Sequence, residues 1–183
     1  MGLFDFIKKK IEANAEAERQ RKERLLQWQR LVMPQNPNQL NMTEQQLTAI
    51  TQQQAANDLR IVNDCAKLVE STIKPDVFFM RLQLLLETAE HLCALEQYIK
   101  FYGASPAAAF DEVRQNYQLA IRKFLERYFS DTFDKAESMK TEKGRIGKYQ
   151  KFYDSLQEYY NVMDDNNKAY IERKYKDHIK SRG

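Results

Sequence analysis

Nucleophilic catalysis needs a base beside the nucleophile, and this chain holds only two cysteines, Cys65 and Cys93, and two histidines, His91 and His178. His91 and Cys93 stand two residues apart, so on a helix they point to different sides. Di-iron bundles use Glu-x-x-His motifs from two helices together with further carboxylates. The stretch "ETAEH" instead sets Glu87 and Glu90 four residues and one residue before His91, with no second copy, and it reads as a helix-surface cluster. No G-x-S-x-G, phosphate loop, G-x-G-x-x-G or H-E-x-x-H motif is present. The expectation is a non-enzymatic protein with no catalytic residues, no metal site, no cofactor and no evident small-molecule substrate.

The residues that suggest chemistry suggest binding. In "MGLFDFIKKKIE", Leu3, Phe4, Ile7 and Ile11 share one helical face and Phe6 extends it. Asp5, Lys8 and Lys9 lie opposite, with Lys10 at the border. That is the layout of an interfacial helix. Full burial of such side chains is worth about 1.5–3 kcal/mol each, so partial burial of the face would hold reversibly and not permanently. Three occupants fit it: a protein partner or this protein's own body, a second copy, or a membrane surface. Phe6 stands where N-myristoylation requires Ser or Thr, which makes Gly2 a poor acceptor.

A second binding chemistry lies near the C-terminus. "KGRIGKYQKFYDSLQEYY" interleaves Arg145, Lys148 and Lys151 with Tyr149, Phe152 and Tyr153, and the last segment adds Arg173, Lys174 and Lys176. Cations neutralise phosphates and rings stack on bases, so nucleic-acid binding is the alternative function. Asp154, Glu158, Asp164, Asp165, Glu172 and Asp177 dilute the patch, and the tyrosines also suit a core.

These residues must be positioned by helices. The 183 residues include only 5 Gly and 4 Pro, too few for the turns of an all-β domain. Net charge is +3 over residues 1–30, −4 over 31–134 and +4 over 135–183, a mild polarity with basic ends. The two cysteines lack CxxC spacing and sit among apolar residues, which suits a reducing cytosol. No apolar run approaches the ~18 residues of a membrane span, and the opening lacks the layout of a secretory signal. The expected location is the cytoplasm, with peripheral attachment at the inner face of a membrane as an extension of the interfacial-helix reading.

Residues 3–32 read as one helix whose middle, "EANAEAERQRKER", carries only alanine as its apolar content. "MPQNPNQLNM" breaks it. Thr43 with Gln46 forms a capping-box pattern for a helix that buries Leu47, Ile50, Leu59, Val62, Cys65, Ala66 and Val69. Pro75 and Gly103 bracket a central helix with its stripe at Phe78, Leu82, Leu85, Ala89, Leu92, Ile99 and Tyr102. Ser105 and Pro106 start the next, which buries Phe110, Val113, Tyr117, Ala120, Phe124 and Tyr128 and weakens through Phe133, Ala136 and Met139. Gly144 and Gly147 predict a break. Beyond it, Ile146, Tyr149, Tyr153, Leu156 and Tyr160 form a short coiled-coil-like seam. "DDNN" precedes a last helix with Ile171, Tyr175 and Ile179 inward.

The predicted fold is all-α. A charged helical arm (1–32) and a Pro/Asn linker (33–42) precede an irregular bundle of about five helices (43–183). The predicted function is that of an intracellular interaction or adaptor protein. Its contact residues are Leu3, Phe4, Phe6, Ile7 and Ile11, flanked by Lys8, Lys9 and Lys10.

Overall fold

A computed structural model describes the backbone of residues 3–35, 40–101 and 105–180, and the side chains of 9–35, 40–101 and 105–178. Among these residues the chain is all-α, with no strand. The helices are α1 (Leu3–Val32), α2 (Glu44–Ser71), α3 (Pro75–Leu95), α4 (Pro106–Glu137), α5 (Glu142–Gln157) and α6 (Asp165–Lys180). A single 3-10 turn, Tyr160–Val162, joins the last two.

α2 begins where its capping box requires: the Thr43 hydroxyl accepts from the Gln46 amide, and the Gln46 side chain accepts from the Thr43 amide. α2 and α3 form an antiparallel hairpin with an apolar cluster at each end. Leu47 and Ala55 meet Leu92 and Leu95 at one end, while Val69 meets Phe78, Phe79 and Leu82 at the other. The first cluster is closed by Trp28 and Val32 of α1. The second is closed by Ile121, Phe124, Leu125 and Phe129 of α4, Phe152 and Leu156 of α5, Met163, and Ile171 of α6. Stacked rings run through it: Phe78 on Phe124 at 4.0 Å, Phe124 on Tyr128 at 5.3 Å and Tyr128 on Phe152 at 4.0 Å.

The last two turns of α1 pack with the body, and the change from exposed to buried falls inside this helix, at Leu25. The Pro/Asn segment is tied down on both sides. Gln29, fully buried, accepts from the Asn41 amide, and Gln54 donates to the Val32 carbonyl. Residues 36–39 of the predicted linker lie outside the described residues.

Several predicted boundaries and faces need correction. α3 ends at Leu95, short of Gly103. Glu96, half-buried, uses its carboxylate to accept from the Ser105 hydroxyl and the Ala107 amide. Glu96 therefore satisfies the start of α4, where Ser105 occupies the cap position without capping through its own side chain. Tyr102 and Gly103 lie outside the described residues. Gly144 and Gly147 are both inside α5; the break lies at residues 138–141, and the Thr141 hydroxyl accepts from the Gly144 amide.

Leu59, Phe133, Met139 and Ile146 are exposed, as is Ala66, whereas Phe129 and Phe152 are buried. The seam beyond the glycines is accordingly Tyr149, Phe152 and Leu156. The burial of Phe129 and Phe152 follows from α4 and α5 having neighbours on more than one side, which a single stripe does not express. At the α5–α6 corner, Gln118 of α4 accepts from the Asp164 amide and donates to the Val162 carbonyl. Buried Asn167 donates to the Gln118 carbonyl.

Candidate functional site

The predicted contact residues lie on a helix that leaves the body. Every described side chain from Lys9 to Arg24 is exposed, Ile11 at 63%. Polar contacts to the body begin at Arg21, which pairs with Glu44 at 2.9 Å, and Arg24, which donates to the Gln97 carbonyl. At 1.5 Å per residue, the stretch from Leu3 to Arg24 reaches about 30 Å. The helical backbone of Leu3, Phe4, Phe6, Ile7 and Lys8 is described; their side chains lie outside the described residues. Lys9 and Lys10 are exposed.

The body carries an apolar groove that sequence patterns did not reveal. Phe79, Met80, Leu84, Tyr117, Tyr159 and Val162 line it, with Asp76 and Glu87 at its edges. Met80 is 61% exposed and Leu84 42%. Both lie off the stripe that the sequence predicts for α3. Their exposure is the property that periodicity could not supply.

The C-terminal candidates divide into three groups. Arg145 stands 3.9 Å from Glu137 and is half-buried. Arg173 and Lys174 lie over the Tyr170 ring at 5.9 and 5.7 Å, beside Arg122 at 4.2 Å, while Lys176 is exposed. Lys148 and Lys151 are exposed on α5, and the structure gathers them with Lys74 and Lys135 around a cleft of about 320 Å³. Its floor is Ile73, Pro75, Tyr128 and Phe152, with Asp131, Thr132 and Ser155 as the remaining lining. Lys135 pairs with Asp131 at 2.5 Å. Among the described residues, Lys74, Lys148 and Lys151 have no carboxylate within ion-pair distance. Lys74 and Lys135 escaped the sequence reading because they sit 61 residues apart on separate helices.

The rings expected to stack on bases are engaged internally. Tyr149 is buried and stacks on His178 at 4.9 Å. Phe152 is buried against Tyr128. Tyr153 stacks on Tyr175 and donates to Glu172 at 2.5 Å.

The cysteines and histidines do not converge either. His91 Nδ1 lies 2.6 Å from Asp58 and its Nε2 3.4 Å from the Leu31 carbonyl, so the ring ties α3 to α2 and α1. Cys65 and Cys93 are free thiols, and burial pushes the Cys65 thiol up, away from the reactive thiolate. Among the described residues no cluster of His, Cys, Asp and Glu could hold a metal ion, and no helix is long and apolar enough to cross a membrane.

No protein-family model matches this chain, and no curated protein or solved structure matches it.

Proposed function

We propose that this is a non-enzymatic helical interaction protein whose projecting N-terminal helix is its contact element. One observation carries the proposal: about four turns of described helix, Lys9 to Arg24, are exposed throughout. An isolated helix of that length is marginal in water, and one that keeps no apolar face against its own body gains stability from a partner. The partner that best matches is a second copy. The face of Leu3, Phe4, Ile7 and Ile11, with Lys10 at its border, matches in character the Met80–Leu84 groove, which Asp76 and Glu87 also line. Exposed Met80 and Leu84 would then gain cover from the same contact.

Light scattering against concentration tests this. The expected result is a dimer that both Ile11→Glu and Met80→Glu convert to monomer. A wild-type monomer that instead pellets with vesicles in an Ile11-dependent manner assigns the helix to a membrane surface. A monomer that binds neither ends the proposal.

Nucleic-acid binding by the C-terminal helices is the second proposal, and the exposed Lys148, Lys151, Arg173 and Lys176 favour it. Phosphate contacts from these side chains require affinity to fall steeply between two salt concentrations in a gel shift.

A further inference from the structure

We propose that the lysine-rimmed cleft between α3, α4 and α5 binds a phosphate ester carrying at least two phosphate charges and an apolar or ring-shaped portion. Its four cations come from three separate elements: Lys74 at the start of α3, Lys135 on α4, and Lys148 and Lys151 on α5. Gathering like charges is unfavourable unless something of opposite sign offsets them. Asp131 offsets one, since it pairs with Lys135. Lys74, Lys148 and Lys151 are left with no carboxylate in reach among the described residues. Three such ammonium groups match a polyphosphate, with each lysine acting as a point charge on long, adjustable stems.

The floor supplies the second half of the recognition. Ile73 is 51% exposed there, beside Pro75 and the Tyr128 ring. Tyr128 is held in place by its stack on Phe152 at 4.0 Å and by a 3.1 Å hydrogen bond with the Ser155 hydroxyl. A fixed aromatic and aliphatic floor under a cationic rim receives an amphipathic anion better than a bare inorganic one. The volume is that of a small-molecule site. No residue of α6 lines it, so the remaining cations of the C-terminal helix do not extend it into a track for a polymer. Two sources supply this chemistry, a soluble nucleotide-like ester and the headgroup of a polyphosphorylated lipid.

The full chain is titrated calorimetrically with ATP and with pyrophosphate. In parallel it is sedimented with phosphatidylcholine vesicles with and without phosphatidylinositol bisphosphate. Saturable binding of ATP, or pelleting that depends on the bisphosphate lipid, is expected. ATP binding assigns the soluble source; bisphosphate-dependent pelleting without ATP binding assigns the lipid.

Lys148→Ala with Lys151→Ala should weaken that binding at least about tenfold, the loss of two charge-assisted contacts. The exposed pair Lys67→Ala with Lys100→Ala removes the same charge elsewhere and should change it by less than about twofold, a general-charge effect only. Ile73→Ser should weaken ATP or vesicle binding and spare pyrophosphate. All these positions are exposed, and an unchanged circular dichroism spectrum confirms folding. The proposal is overturned if no probe binds, if both lysine pairs weaken binding equally, or if a single-stranded oligonucleotide binds more tightly than either small phosphate.

Discussion

Trp28 joins three segments at one point. Its indole N–H donates to the Thr51 hydroxyl of α2 at 2.8 Å, and its ring stacks on Tyr98, just beyond α3, at 5.1 Å. The Thr51 hydroxyl in turn donates to the Leu47 carbonyl at 2.6 Å, and both side chains are buried. Thr51→Val keeps the shape and strands the indole donor, so it should cost about 1–3 kcal/mol in urea unfolding, whereas Thr51→Ser should recover most of that loss. Trp28 is the only tryptophan, so its fluorescence reports this site directly.

Tyr160 makes a different residue-scale prediction. Burial first, and then its hydrogen-bonded neighbour Tyr153, push its phenol up from 10.0; the Glu172 carboxylate adds to the rise. Tyr117, Tyr128, Tyr159 and Tyr170 are likewise raised by burial. A raised folded pKa means the folded chain keeps protons that the unfolded chain has lost. Stability from these groups is therefore fully present below pH 10.0 and declines as pH rises above it. Urea midpoints should hold steady up to that point and then drop, and Tyr160→Phe should make the alkaline drop shallower. An equal drop in Tyr160→Phe would remove Tyr160 from the cause.

At the scale of elements, α5 is the clearest case of a helix that its sequence conceals. Two glycines near its start are breaker signals, yet both are helical. A Cβ on Gly147 would meet nothing within 4 Å, so Gly147→Ala should stabilise by about 0.5–1 kcal/mol through helix propensity alone. At Gly144 the added carbon would lie 3.0 Å from the Thr141 hydroxyl that caps the helix, so Gly144→Ala should gain less or lose. Chemical denaturation of the two variants gives the comparison, and an equal gain in both would show that the cap yields freely.

The contrast with α2 shows what was legible. The Thr43–Gln46 box works within four residues, so its signal is wholly local. The end of α3 depends on Glu96 reaching Ser105 and Ala107, and the burial of Phe129 and Phe152 depends on α6 and α4 arriving from elsewhere. The candidate sites divide in the same way. The helix of Leu3 to Ile11 is visible as a repeating face, but the cleft exists only once Lys74 and Lys135 are folded against Lys148 and Lys151.

At the scale of the whole molecule, the question is whether two apolar clusters make one cooperative unit. α2 and α3 each contribute to both: Leu47 and Leu92 to the Trp28 end, Val69 and Phe78 to the other. Between the ends, Cys65, Leu85 and Ala89 stay buried along the hairpin, which favours the two clusters opening together. Trp28 reports only its own end, while Leu125 is fully buried in the far one. Leu125→Ala should destabilise by about 2–5 kcal/mol. If the hairpin couples the ends, the Trp28 fluorescence midpoint in urea must move as far as the circular dichroism midpoint, although the substitution touches nothing around Trp28. A Trp28 transition left in place would mean that the hairpin unfolds piecewise. Helicity lost with a gentle slope before the main transition is a separate expectation. It belongs to the projecting turns of α1 from Lys9 to Gln20, which have no packed face to make their melting cooperative.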